Sequence, residues 1–281
     1  MNWYVTRDHL KRALDIPVSS TARNALLDAV IEGVSRQVDV YVGFPAYPSC
    51  ATRDYTARST TMLSLDWPLL AVDSILGDND ENASYESTIP TSAARLAPYN
   101  AAAEDKPYWS IELRPGATAV FPQDVQAGTR IAGRWGYYDN TVAKAALTSD
   151  AITATATSFG VVSATALEPG HTILIDSERM FVNRTPTSAT ASHSSQISVT
   201  RAVNGTVAAS HTSGAVVSIY EYPIFETAAL YQAEQDYRAQ DAPLGYAGAE
   251  PFGTQRIESA PGGMHPFVRR MLDQFRKPTA I

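Results

Sequence analysis

Two carboxylates, Asp176 and Glu178, stand two residues apart within His171-Thr172-Ile173-Leu174-Ile175-Asp176-Ser177-Glu178-Arg179-Met180-Phe181-Val182. If one strand ran through both, they would share a face. A carboxylate pair can do acid–base work when one member is buried and both face a cleft. A tight turn at Asp176-Ser177 between two strands is the more economical account, and it leaves the pair without a catalytic role. The histidines are His9, His171, His193, His211 and His265. Three of them fall in this part of the chain, each alone in its segment. Zinc needs converging ligands at short paired spacing, so these histidines read as surface or turn residues. Cys50 is the sole cysteine, which excludes an internal disulfide. Nothing beside it in the sequence would activate it as a nucleophile, so it reads as a small core or turn residue. The acidic run Gly77-Asp78-Asn79-Asp80-Glu81-Asn82 lacks regular calcium-ligand spacing and reads as a solvated loop. A phosphate loop, a Gly-x-Ser-x-Gly elbow and a His-Glu-x-x-His helix are all absent from the sequence. The expectation is therefore a protein with no catalytic residues, no metal and no cofactor.

The elements that would carry these residues change character along the chain. Leu10, Ala13 and Leu14 fall at helical spacing, and Pro17 ends that short helix. Ser19, Ser20 and Thr21 offer N-caps for a second helix. In it Leu26, Leu27, Val30, Ile31, Val34, Val38 and Tyr41 read as one apolar stripe, closed by Gly43 and then Pro45. From about Thr52 to Trp135 short alternating runs at 61–65, 108–113 and 129–135 read as strands in hairpins. From Thr148 to Ser218 the chain is rich in Ala, Thr and Ser. Ile152 to Ala156 alternates, and strands are predicted at 171–176, 178–182, 197–201 and 215–220, with Asn204-Gly205 as a turn. Helix returns after Pro223, and a last short helix runs from Pro266 to Phe275 beyond a glycine-bearing loop.

The net charge of −7 and a pI near 5.2 make the chain a poor candidate for gripping phosphate backbones. The same charge suits a wall past which DNA slides. The first eight residues lack a basic start followed by an apolar run, and no stretch approaches the roughly 18 apolar residues of a membrane span. Synthesis and use in the cytoplasm, without a membrane, are expected.

The order of several pieces resembles the head–tail connector (adaptor) proteins of tailed bacteriophages. These pieces are the opening helix pair through Gly43-Phe44, Leu63-Ser64-Leu65-Asp66-Trp67-Pro68-Leu69-Leu70-Ala71-Val72, and Arg130-Ile131-Ala132-Gly133-Arg134-Trp135-Gly136-Tyr137. Ala239-Gln240-Asp241-Ala242-Pro243-Leu244-Gly245 and His265-Pro266-Phe267-Val268 complete them. A β unit resembling a separate module of phage structural proteins interrupts this order. Its marks are Gly170-His171-Thr172-Ile173-Leu174-Ile175, Glu178-Arg179-Met180, Val199-Thr200-Arg201-Ala202-Val203-Asn204-Gly205-Thr206 and His211-Thr212-Ser213-Gly214.

The resemblance implies an α+β fold: a helical connector core with β-hairpins and an inserted small all-β domain. Residues 1–146 would hold the N-terminal helices and hairpins, 147–222 the inserted domain, and 223–281 the helices that complete the core and a docking tail. It implies a homo-oligomeric ring, typically of about twelve copies, in the neck of the virion. The ring sits beneath the portal protein, extends the channel for double-stranded DNA, and docks the next neck, stopper or tail protein. The portal-docking role falls on Phe267, Val268, Arg269, Arg270, Met271, Leu272, Phe275 and Arg276. Ring contacts are expected at Leu27, Ile31, Val34, Val38 and Tyr41, a stripe that packing within one chain would explain equally. Another neck or tail-completion protein, a glycan-binding adhesin acting through the β unit, and a hydrolase are the alternatives.

Overall fold

The computed structural model describes residues 2–185, 195–240, 246–250, 253–256 and 263–276. The chain divides into two compact units: Met1–Gly43 with Asn140–Ile281, and Phe44–Asp139.

The first unit opens with an extended segment and helix α1 (Arg7–Ala13), capped by the Thr6 hydroxyl, which accepts the His9 N–H. Buried Lys11 donates to the carbonyls of Val18 and Ser20, which fixes the loop into the next helix. Helix α2 (Asn24–Val42) starts without a side-chain cap and ends at Gly43, whose φ of 96° is the left-handed conformation that glycine adopts at little cost.

The second unit follows. Its strands are β1 (Ser49–Tyr55), β2 (Met62–Gly77), β3 (Ser87–Ile89), β4 (Ala94–Ala97), β5 (Tyr108–Leu113) and β6 (Thr129–Trp135). They form one antiparallel sheet of order β1-β6-β2-β5-β4, with β3 also on β2. One face carries Leu63, Leu65, Leu69, Ile75, Ile111, Ile131 and Trp135, covered by Phe121 and Ile89. Gly136 leaves β6 at a φ of 145°, where a side-chain carbon would lie 2.4 Å from the Tyr47 carbonyl oxygen. Glycine is therefore the residue that fits this close approach.

The chain returns to the first unit with β7 (Thr141–Leu147), β8 (Ser158–Val161), β9 (Thr172–Ile175), β10 (Glu178–Arg184), β11 (Ser195–Thr200) and β12 (Val216–Tyr220). Their order is β7-β12-β9-β10-β11-β8. A bridge between Thr148, just past β7, and Val161 in β8 brings the two outermost strands together, so the sheet closes on itself as a small barrel. Ile152, Phe159, Val161, Leu167, Ile173, Ile175, Met180, Val182, Ile197, Val199, Val217 and Ile219 fill it. Helix α3 (Pro223–Gln240), a hairpin of β13 (Tyr246–Glu250) and β14 (Gly253–Arg256), and helix α4 (Pro266–Leu272) complete the described chain. Helix α3 packs against α1, α2 and α4. No helix among the described residues is long and apolar enough to cross a membrane.

The expectation of an α+β chain built on a helical connector core is corrected. Two six-stranded antiparallel sheets dominate, and the four described α-helices are a minor part. The physical reason lies in signal strength. The helical period of α2 is sustained over five turns, whereas the strands hide theirs. Strand β1 reads Ser-Cys-Ala-Thr-Arg-Asp-Tyr and has little apolar content to alternate. The register of β2 shifts at irregularities between 64 and 69, between 69 and 71 and between 72 and 74, which break the two-residue period. The compact units divide at 43/44 and 139/140; the boundaries read from the sequence are 146/147 and 222/223.

An extended segment, Asn2 to Thr6, ties the barrel to α2. Asn2 is fully buried, and its side-chain oxygen accepts the hydroxyls of Thr172 and Tyr222 at 2.6 and 3.2 Å. The Trp3 indole donates to Glu32 on α2 at 2.6 Å and meets Phe181 of β10 edge-on at 5.1 Å. Tyr4 bonds Ser35 through its N–H and Asp39 through its hydroxyl, and Arg36 donates to the Asn2 carbonyl.

Candidate functional site

Among the described residues, the densest set of buried titratable groups lies in the barrel. The turn at Asp176, whose φ is 53°, reverses the chain between β9 and β10 and leaves Glu178 as the first residue of β10. The loop from Arg201 to His211 folds over it, with Ala202, Asn204 and Gly205 in left-handed conformations. Glu178 accepts Arg201 Nε at 2.7 Å and an Arg201 terminal nitrogen at 2.5 Å, together with the N–H groups of Ala202 and Ala209. His211 places Nε2 2.9 Å from Glu178 and Nδ1 2.7 Å from Asp176. Arg201 spends its remaining N–H groups on the carbonyls of Thr153, Ala156 and Ala209. Burial pushes the Glu178 carboxyl up, but the Arg201 guanidinium, the Ala209 N–H, His211 and the Ala202 N–H outweigh it and hold it at about 2.

Carboxylate, imidazole and carboxylate in a row is a set that could move protons. Here Glu178 and Arg201 are buried and already bonded on every side, and a group saturated in this way stabilises a loop. The predicted turn at Asp176-Ser177 is present. The reading of His211 as a surface or turn residue is corrected: it is buried, because the loop delivers it to two carboxylates. His171 is half-buried, and its Nδ1 accepts the Glu168 N–H. His9 pairs with Glu226, and His265 caps α4 by accepting the Phe267 N–H. His193 lies outside the described residues.

A cleft of about 310 Å³ opens between the N-terminal segment, α1, the start of α3 and the barrel. Trp3, Tyr220 and Tyr222 form its walls. Arg12–Glu168 at 2.8 Å and His9–Glu226 at 2.7 Å stand along it. Burial opposes ionisation of Glu168, yet Arg12 and the Thr6 hydroxyl hold its pKa below the usual range. The charged groups named here thus meet partners within the chain.

In the second unit Asp78, Asp80 and Glu86 bring carboxylate oxygens within 4.8 Å of one another. Asp78 is spent on the N–H groups of Asp80 and Ala83, which organises the loop. Cys50 is half-buried on β1 and takes part in no disulfide.

The expected contact residues divide by helix face. On α2, Leu27, Ile31, Val34 and Val38 are at most 2 % exposed, so the structure places them in the chain's own core. Tyr41 is half-buried, and its hydroxyl donates to Asp273. The single stripe read from the sequence is in fact two. Leu26, Val30, Gly33, Gln37 and Val40 follow a second line along the outer side, where Leu26 is 41 % and Val40 81 % exposed. Sequence reasoning merged the two lines because both step by three and four. On α4, Val268, Leu272 and the following Phe275 are buried, Phe275 against Phe225 of α3 at 4.8 Å. Phe267 is 45 % exposed, Met271 is half-buried, and Arg269, Arg270 and Arg276 face outward. The Tyr231 ring of α3 packs at a tilt against Phe267, with centroids 5.1 Å apart. Lys277, the last member of the basic cluster, lies outside the described residues. Comparison with models of protein families, with curated proteins and with solved structures finds no match for this chain.

Proposed function

We propose that the chain is a structural head–tail adaptor of a tailed-phage virion. Copies join in a ring below the portal, extend the DNA channel and offer a dock to the next neck or tail protein. The observation that carries this reading is the two-sided nature of α4. Val268, Leu272 and Phe275 seat the helix firmly on the chain. Phe267, Arg269 and Arg270 then stand outward on a rigid base, an apolar anchor beside cations, which is the composition of a protein-binding hot spot. The saturated Glu178–Arg201–His211 set agrees with a chain whose ionisable groups serve its own architecture. A net charge of −7 suits a lumen wall that DNA passes without being held.

The test is co-sedimentation of the purified protein with the portal ring of the same virion, with the complex viewed by electron microscopy. Phe267→Ser and Arg270→Glu leave the buried side of α4 untouched and should each weaken portal attachment by about tenfold or more, with unchanged circular dichroism. Wild-type attachment by both variants, or no attachment by the unaltered protein, would remove the proposal.

A further inference from the structure

Arg7, Arg36, Arg130, Arg134 and Arg201 are half-buried, and each pairs with a carboxylate. Arg53 of β1 is half-buried too, yet it forms no ion pair among the described residues. Its guanidinium carbon lies 3.3 Å from the centre of the Trp67 ring and 5.5 Å from that of Trp135. Its Nε is buried without an acceptor. Burial pulls its pKa down, and Tyr55 and Asp66 oppose this only through space. A guanidinium held against an indole is a fixed, flat fork, the geometry that takes a carboxylate through two parallel hydrogen bonds. An anion from outside the chain would complete it.

The same sheet carries the opposite charge elsewhere. Asp78 follows β2 directly, and Asp80, Glu81 and Glu86 are exposed in the loop after it. Carboxylate oxygens of Asp78, Asp80 and Glu86 crowd within 4.8 Å, and none of these four side chains meets a cation among the described residues. The β2 residues paired with β6, Leu69 to Gly77, separate this loop from Trp67 by about 25 Å of strand. An uncompensated cation and a group of uncompensated carboxylates thus stand on one compact unit, too far apart to neutralise each other.

We propose that the acidic loop 78–86 of one copy docks on the Arg53–Trp67 surface of the next. Charges that cannot meet within a chain meet between chains, and the arginine–tryptophan pair has the composition of an interface hot spot. The two surfaces are unlike, so the contact is head-to-tail, the kind that neighbours in a ring require. Leu27, Ile31, Val34 and Val38 of α2 are spent in the chain's own core, so a ring must use another pair of surfaces. The inference rests on the adaptor reading for closure into a ring, and it names the surfaces that reading leaves open.

Sedimentation velocity of the full chain from about 10 µM to about 1 mM in low salt should show species growing beyond dimer. About 0.5 M salt should suppress them. Arg53→Glu, and a loop variant carrying Asp80→Asn, Glu81→Gln and Glu86→Gln on exposed side chains, should each weaken association about tenfold or more at unchanged circular dichroism. Arg53→Lys, a milder change, should weaken it as well, because lysine keeps the charge and loses the fork. Mixed one to one, Arg53→Glu and the loop variant should form a dimer and stop there, since one supplies the intact loop and the other the intact fork. A monomer throughout the range, association indifferent to salt, or a mixture that stays monomeric would each overturn the proposal. Portal attachment by a chain that never self-associates would overturn it and leave the adaptor reading standing. Self-association that follows these variants without portal attachment would support it and remove that reading.

Discussion

Glu178 and Arg201, 23 residues apart in sequence, meet inside the barrel through two hydrogen bonds of 2.5 and 2.7 Å. The pair explains why the module's sequence marks fall where they do. Glu178 opens β10, Arg201 ends the run after β11, Asn204-Gly205 turns the loop, and His211 closes it. Replacing Arg201 by Met would leave Glu178 buried without its guanidinium and three carbonyls without a donor. Removing one member of a buried pair costs about 3–5 kcal/mol. Urea unfolding of Arg201→Met should show a loss of that size, and the 201–211 loop should lose hydrogen-exchange protection before the rest of the barrel.

Acid should act through the same carboxylate. The folded Glu178 carboxyl sits at about 2, below its ordinary 4.5. Its stabilisation is therefore complete above pH 4.5 and fades as pH falls from there towards 2. A shift of this size corresponds to about 3 kcal/mol. Melting temperature against pH should drop steeply across that window, and the drop should be much smaller in Glu178→Gln, which starts from a lower plateau.

Asp39 has the opposite sign. Burial pushes its carboxyl up to about 6, against the pull of Arg36 and the Tyr4 hydroxyl. The folded protein thus holds a proton there more tightly than the unfolded chain. Stability decreases as pH rises from about 4 through 6, by roughly 2–3 kcal/mol. Asp39→Asn keeps an acceptor for Tyr4 and should flatten this part of the profile, raising stability at pH 8 relative to the unaltered protein.

Gly170 has a φ of 108°, and a side-chain carbon there would lie 2.6 Å from the Trp3 ring. Gly170→Ala combines an unfavourable backbone with overlap against a ring held by Glu32 and Phe181. It should destabilise by about 2–4 kcal/mol. Combining it with Trp3→Ala should cost less than the two single changes summed, because the overlap disappears with the ring.

Gly33 supplies the converse case. It lies in the interior of an exposed helix face with open space around it. Gly33→Ala should stabilise the fold by about 0.5–1 kcal/mol, read as a higher denaturant midpoint at unchanged slope.

Legibility in the sequence followed local signal. Gly43, the Pro266 start of α4 and the bounds of β5 and β6 were all readable, because capping, proline geometry and clean alternation act within a few residues. The turn at Asp176-Ser177 was readable for the same reason. His211 was not, since its burial depends on a loop that must first be folded over Glu178 from 33 residues away. Nor was the sidedness of α2. Two lines of apolar residues separated by a single position are distinguishable only when the position of α3 is known. Strands β1 and β7 were missed because neither carries an alternating apolar face of its own.

The meeting of Thr148 with Val161 has a consequence for life at high local concentration. Where the two border strands meet at this seam, fewer unpaired N–H and C=O groups are left for a stranger's strand to join. Crowded copies of this unit therefore have less border along which to zip together by adding strands. A deletion that removed β8 would strip β11 of its outer partner and open the seam beside Thr148, adding a border to which other strands could adhere.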